Sequence, residues 1–311
     1  MTALDRWRAE IGTGVPRVLL ADDDHRAVEA AARLNAEGLV EALIVRRDVH
    51  SVEAVGDADA ARWLASLAAV TDGPWAGRPL DVEDPLVVAA ALVRSGWAAA
   101  AVGGATRSTS EVVRAGLRVL GTRPDVSAVS SSFFFELPDG RPLVYGDCGV
   151  VPEPTAEQLV EIAVDSAATF SQLTGETPVV ALLSFSTKGS AEHPRVDKVR
   201  HAVELLQRDH PGIAADGELQ FDAAWDAAVG QTKAPGSAVA GHANVFIFPD
   251  LDSGNIAYKI TERLGGARAY GPLLQGFAGV FHDLSRGCHV DDLVAVSVIA
   301  AVQSQSGSRL G

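Results

Sequence analysis

Short apolar runs alternate with amphipathic segments along nearly the whole chain, and this alternation restricts the fold more than any other feature. Residues 17–21 (RVLLA) read as a short buried strand, and 24–34 as a helix with Ala27, Ala30, Ala31 and Leu34 on one face. The pattern continues with a strand at 43–45, a helix of small apolar residues at 84–93 and a strand at 99–102. Ser110, with Glu111 behind it, is the expected N-cap of a helix reaching about Leu120. Further on, strands are expected over 179–185, 244–248 and 268–275, and helices over 192–208, 254–264 and 291–304; 221–230 reads as helix or loop. Strands separated by helices predict α/β architecture with mostly parallel sheets.

One stretch breaks the alternation. Residues 126–137 form a long β-prone run containing SSSFFF, PDG at 138–140 supplies a turn, and 142–147 returns as the second arm of a hairpin. The crossing between two domains is placed there. Thr155 then caps a long helix, TAEQLVEIAVDSAATF, with Gln158 at the capping-box position. The tail SQSGSRLG reads as frayed.

Composition narrows the function classes. With 311 residues the chain has room for about two domains, and a net charge of −14 argues against a nucleic-acid partner, which needs a cationic surface. Cys148 and Cys288 are the two cysteines, far apart and without metal-ligand spacing, which fits a reducing compartment. MTALDRWRAEIGTG lacks the apolar core of a signal peptide, and runs such as VVAAALV are too short to span a bilayer. The expectation is a cytoplasmic protein with no membrane partner.

Chemistry-bearing residues gather in three segments. HDLSRGCHVDDLV (282–294) sets a hydroxyl (Ser285), a guanidinium (Arg286) and a carboxylate (Asp292) around a glycine turn. Arginine forks onto phosphate or carboxylate oxygens, serine donates to an oxyanion, and a positioned aspartate accepts a proton. The same segment also reads as a helix start, with Asp291 and Asp292 in the first turn. GGATRSTSEVVR (103–114) reads either as an anion site at a helix N-terminus, with Ser108, Thr109, Arg107 and Arg114, or as a capped turn. In 249–259, Asn255 and Lys259 share a helical face, as ligand contacts or as cap and solvated lysine. No zinc signature, phosphate-loop lysine, dinucleotide glycine pattern or GxSxG elbow occurs. Cys288 reads as a thiol nucleophile or, since nothing in the sequence places His282 or His289 to activate it, as a small residue packing a turn.

Taken together, LVYGDC, PTAEQLVEIA, ALLSFSTKGSAEHPRVDKVRHA, DGELQFDAA, KAPGS, NVFIFPDLDSGNIAYKITERLGGA, GPLLQG and DLSRGC resemble the phosphate acetyltransferase family, nearly without interruption from about Val126 onward. RVLLADDDHRAVEAAARLNAEGL and DPLVVAAALVRSG resemble it more loosely. The resemblance implies two α/β domains around a cleft, in a fold like that of isocitrate/isopropylmalate dehydrogenases. The C-terminal segment would return to the first domain, giving 1–128 with 278–311, and 129–277. It would also bring 103–114 and 285–292 together across the cleft. It implies reversible acetyl transfer between CoA and orthophosphate, with acetyl-CoA, phosphate and acetyl phosphate as substrates, no resident cofactor or metal, and a homodimer. A longer acyl group such as butyryl, or a silent acyl-CoA-sensing domain, are the alternatives. Matched by position, Asp292 is the base for the CoA thiol, Ser285 stabilises the tetrahedral intermediate, and Arg286 and Arg114 hold the anion. The chain departs from the family pattern SGAxHxTADTxRP at Gly103, Arg107 and Glu111, and Arg107 is read as a compensating charge or as recognising another anion. The LRKxKG segment is absent from the shortened 61–81 region, so no role passes to Arg62 or Arg78. His282 stands at a conventional loop asparagine.

Overall fold

The computed structural model describes residues 2–11, 14–46, 81 and 83–306. The chain divides into two compact units, Met1–Arg123 with Phe277–Gly311, and Pro124–Gly276. Arg62, Arg78 and nearly all of the 61–81 segment lie outside the described residues, as do the last five residues of the tail.

The first unit is built on a parallel sheet with strand order β10-β3-β1-β2. Its strands are β1 (Arg17–Leu20), β2 (Glu41–Ile44), β3 (Ala100–Gly103) and β10 (Val280–Asp283). Its helices are α1 (Ala3–Glu10), α2 (His25–Glu37), α3 (Pro85–Arg94), α4 (Thr109–Val119) and α10 (Val290–Ser306). α2 presents Ala27, Ala30, Ala31 and Leu34 to the core, the face its spacing predicts, and ends on Gly38 in the left-handed region. Helix α3 is buried from Leu86 to Val93, and α10 buries Leu293 to Val302 almost without interruption, packed on α1, α2 and the sheet. Such continuously apolar helices are covered on every side.

The second unit holds a mixed sheet of order β7-β6-β8-β5-β4-β9. β4 (Ser130–Glu136) and β5 (Pro142–Gly146) form the expected hairpin, with Gly140 at φ 85° in its turn. β6 (Val179–Leu183), β7 (Ala214–Leu219) and β8 (Val245–Ile247) continue in parallel, and β9 (Arg268–Gln275) pairs antiparallel with β4. α5 (Ala156–Thr174), α6 (Pro194–Asp209) and α9 (Leu251–Arg263) carry the connections, and 221–230 resolves into α7 (Phe221–Trp225) and α8 (Ala227–Lys233). The aromatic core joins Phe133, Phe135, Tyr145, Phe246 and Phe248.

Several expectations are corrected. Ser108, not Ser110, caps α4: its backbone N–H and hydroxyl both donate to Glu111 Oε2, at 2.9 and 2.8 Å, so Ser110 falls inside the first turn. α9 begins at Leu251 behind the N-cap Asp250, so Ser253, Gly254 and Asn255 are helical. His282 lies in β10, opposite Val102, and not in a loop. α1, β7 and β10 were not read from the sequence: α1 precedes the first apolar run, β7 is an edge strand with Asp-Gly inside it, and β10 is four residues ending in His-Asp. Among the described residues no helix is long and apolar enough to cross a membrane.

Close packing makes one glycine testable. A Cβ on Gly116 in α4 would stand 2.4 Å from the Phe277 ring, whereas one on Gly212 meets nothing within 4 Å. Gly116→Ala should destabilise the chain by about 1–3 kcal/mol through overpacking, and Gly212→Ala by less than about 0.5 kcal/mol. Urea unfolding midpoints of the two variants check this.

Candidate active site

In parallel α/β sheets ligand-binding groups gather beyond the carboxyl ends of strands, and in the first unit β1, β3 and β10 are neighbours there. β3 runs into Gly103-Gly104, and Gly104 takes φ 110°, a backbone conformation L side chains rarely adopt. A Cβ on it would stand 2.1 Å from Asp283 Oδ1 and 2.8 Å from the Leu284 carbonyl, so the turn needs glycine twice over. On the β1 side, the buried Asp22 carboxylate accepts from the Ala105 and Thr106 backbone N–H groups (3.0 and 2.8 Å) and from the Thr106 hydroxyl (2.5 Å). On the β10 side, Thr109 Oγ1 lies 2.6 Å from Asp283 Oδ2. Asp283 is fully buried, its Oδ1 has no hydrogen-bond partner among the described residues, and burial pushes its pKa up to about 7. The Thr109 contact and the Leu284 amide pull that value down without closing a hydrogen bond on Oδ1, and Asp22 pushes it up.

The Ser285-Arg286-Gly287 turn follows β10 directly. Ser285 and Arg286 are exposed; Ser285 Oγ accepts from the Gly287 N–H at 3.2 Å, and its carbonyl accepts from the Cys288 N–H at 2.9 Å. Asp292 sits in the first turn of α10, half-buried, with Oδ2 accepting from the His289 N–H at 2.7 Å. It therefore closes the helix start with one oxygen of its carboxylate. Burial pushes the Cys288 thiol up to about 11, against the opposing pull of Arg26, so at neutral pH it is a protonated packing group.

Arg26 holds these segments together and was missed in the sequence. From the first turn of α2 its Nη1 donates to the Arg286 and Cys288 carbonyls (3.0 and 2.9 Å), its Nη2 to the Ala105 carbonyl (2.7 Å) and its Nε to Asp24 (2.7 Å). Backbone acceptors leave no mark on a sequence, so only its place after the DDD run hinted at a role. The 103–114 and 285–292 segments thus meet within the first unit.

The other expected residues separate by their partners. Arg107 is committed to Asp84 (3.0 Å) and Glu111 (2.9 Å), and Glu111 is held down to about 2 by the Ser108 backbone N–H, the Ser108 hydroxyl and Arg107. Arg114 is exposed on α4 with no hydrogen-bond or ion-pair partner among the described residues. In the second unit, Asn255 donates to the Cys148 carbonyl at 3.0 Å and accepts from Lys259 Nζ at 2.5 Å. Asn255 ties α9 to the turn after β5, where a Cβ on Gly254 would meet the Asp147 carbonyl at 2.2 Å. The motifs TKGS, DGEL and KAPGS interlock nearby. Glu218 accepts from Ser186 Oγ and Arg200 Nε (2.9 and 3.1 Å), Lys188 pairs with Asp216, and Ser237 donates to Asp216 at 2.5 Å.

Comparison with known proteins converges on one family. The family model described as "Phosphate acetyl/butaryl transferase" matches residues 78–301. A phosphate acetyltransferase of Paracoccus denitrificans is 42% identical over 302 residues, covering 93% of this chain and 94% of its own. The chain belongs to this family. A phosphotransacetylase from Streptococcus pyogenes superposes with TM-score 0.89 at 37% identity, covering 98% of both chains. The EutD phosphotransacetylase from Staphylococcus aureus gives TM-score 0.87 at 35% identity, covering 97% of this chain and 98% of its own. The two-sheet α/β architecture is that of these phosphotransacetylases. A putative 4-hydroxythreonine-4-phosphate dehydrogenase from Salmonella typhimurium shares the fold more distantly, with TM-score 0.51 at 12% identity over 94% of this chain and 99% of its own.

The adjacent buried residues His282 and Asp283 make stability depend on pH in opposite senses. Burial lowers His282 to about 4, against the hydrogen bond it makes with Gln303 (2.6 Å). Between about pH 4 and 6.5 the unfolded chain holds a His282 proton that the fold rejects, so His282 raises stability as pH rises. Asp283 does the reverse: from its ordinary 3.8 to about 7 the fold keeps a proton that the unfolded chain releases, and stability falls as pH rises. Asp283→Asn should gain on the parent chain progressively from about pH 4 to 7, by up to about 4 kcal/mol, and level off above. Urea unfolding at a series of pH values measures the difference, and a constant offset would contradict the assignment.

Proposed function

We propose that the chain is a phosphate acetyltransferase, reversibly moving an acetyl group between CoA and orthophosphate by direct attack in a ternary complex. The observation that carries this reading is the exposed Ser285-Arg286 turn with the Asp292 carboxylate at the start of the following helix, joined by Arg26 to the 103–109 turn. Written toward acetyl-CoA, Asp292 takes the proton of the CoA thiol as sulfur attacks the acetyl carbonyl carbon. A thiol of this kind has a pKa near that of cysteine, about 8.5, so a base at the moment of attack helps. Ser285 donates to the oxyanion that forms, and collapse of the tetrahedral intermediate breaks the bond from carbon to the phosphate oxygen. Arg286 and Arg114 hold the departing phosphate, and the reverse sequence makes acetyl phosphate.

Ser108 and Thr109 line the same rim at the start of α4. Arg107 stays outside the phosphate-holding set, because its guanidinium already pairs with two carboxylates. On α9 of the second unit, Asn255 and Lys259 remain candidate ligand-binding residues. CoA and phosphate are substrates, and no resident cofactor or metal takes part. Assembly as a homodimer in the cytoplasm belongs to the same reading.

Asp292→Asn should lower turnover of acetyl phosphate and CoA by about 10²–10⁴-fold. Its unfolding midpoint should hardly change, because the amide oxygen can still accept from the His289 N–H. Thioester absorbance follows the reaction, and a near-parental rate would remove Asp292 as the base. Ser285→Ala should cost about 10²-fold in turnover, the effect of one lost oxyanion donor. Comparing acetyl with butyryl phosphate reads the acyl preference. Acetyl-CoA binding without turnover would favour the sensing alternative.

A further inference from the structure

We infer that Asp283 is a positioning residue that works as a protonated acid, turning the Thr109 hydroxyl into a donor for the anion bound at this end of the first unit. The inference rests on the phosphate-binding role proposed for this rim and adds a proton to it. A threonine hydroxyl has one hydrogen to give. If Asp283 is ionised, Thr109 gives that hydrogen to Oδ2 across the 2.6 Å contact and turns only lone pairs outward, which repel an anion. If Asp283 carries a proton on Oδ2, the carboxyl group donates, Thr109 accepts, and the threonine hydrogen becomes available to a ligand.

Geometry favours the second arrangement. Asp283 is fully buried and, among the described residues, its Oδ1 lacks a hydrogen-bond partner. Leaving an oxygen of an ionised carboxylate unpaired in the interior is far more expensive than leaving the carbonyl oxygen of a neutral acid so. Among the described residues no cation pairs with Asp283; Arg286, in the turn after β10, and Arg114, on α4, are exposed. From β1 comes Asp22, another carboxylate; β3 and its turn bring the uncharged Gly103, Gly104 and Ala105. On α4, Glu111 is turned to Ser108 and Arg107; on α10, Asp291 pairs with Arg33 and Asp292 caps His289. His282, its chain neighbour, faces Gln303. Arg26, which ties the same loops, is committed to Asp24 and to the carbonyls of Ala105, Arg286 and Cys288. Burial and Asp22 together raise the pKa of Asp283 to about 7, which puts the switch within the working range of pH.

Anion affinity should therefore fall as pH rises through about 7. The probe is sulfate, a phosphate-like dianion whose charge does not change over this range, titrated calorimetrically into the full chain. The half-saturating concentration of acetyl phosphate is measured in parallel during turnover. The parent should lose about tenfold in sulfate affinity between about pH 6 and 8.5. Asp283→Asn, whose amide N–H donates to Thr109 as the acid does, should bind sulfate equally at both pH values, near the parent's low-pH affinity. Thr109→Val should bind weakly at both, by about tenfold, and Thr109→Ser should restore the parental profile.

The inference is overturned if Asp283→Asn keeps the parent's pH dependence, if it binds at the parent's weak high-pH level throughout, or if the parent binds no sulfate. Should Asp283→Asn fail to fold, the Thr109 pair decides alone: a pH dependence that survives in Thr109→Val refutes the relay. Proton-linked sulfate binding without acetyl transfer would sink the proposed function and keep this inference. Acetyl transfer with pH-independent sulfate binding by the parent would do the opposite.

Discussion

The turn after β3 holds its shape because a buried carboxylate stands on each side of it. Asp22 gathers the backbone N–H groups of Ala105 and Thr106, and Asp283 meets the Thr109 hydroxyl. Gly104, at a φ that other residues rarely adopt, lets the chain pass within van der Waals reach of Asp283 and Leu284. Everything proposed for the reaction is downstream of that packing. The start of α4, with its Ser108–Glu111 box, follows the turn, and Arg26 carries the constraint from Ala105 to the 286–288 carbonyls.

The proposed site for anions, built beside carboxylates, looks paradoxical in a chain with a net charge of −14. Burial resolves it. Asp22 is enclosed and turned toward its hydrogen-bond donors, while Asp283 resists ionisation because it is buried, with the Asp22 carboxylate adding to the effect. Arg286 and Arg114 are exposed, and the proposed function assigns both to the anion, so a local positive charge is compatible with an acidic whole. Asp292 is the exposed-side counterpart: one oxygen closes the start of α10. Capping and proton transfer are compatible in one carboxylate because it offers two oxygens.

Much of this was legible in the order of residues. The helical face of α2, the β4–β5 hairpin and the Thr155–Gln158 box all follow from local periodicity and turn chemistry, and the structure has each of them. The misplaced cap at α4 shows where local reasoning slips: two serines compete, and only the reach of Glu111 back to Ser108 decides between them. β10 escaped notice because a four-residue strand ending in His-Asp has almost no periodicity of its own. It exists because β3 is there to pair with it.

By itself, then, the sequence determined the α/β class, the family and the chemical identity of the Ser285, Arg286 and Asp292 turn, because those depend on residue types at fixed local spacing. Tertiary structure alone decided the partners. It turned Arg107 from a free charge into half of two ion pairs, and made Arg26 a clamp on distant carbonyls. It also buried His282 and Asp283 side by side with opposite proton affinities. Burial and long-range hydrogen bonding are properties of packed neighbours, and a side chain's spacing along the chain does not say which neighbours it will meet.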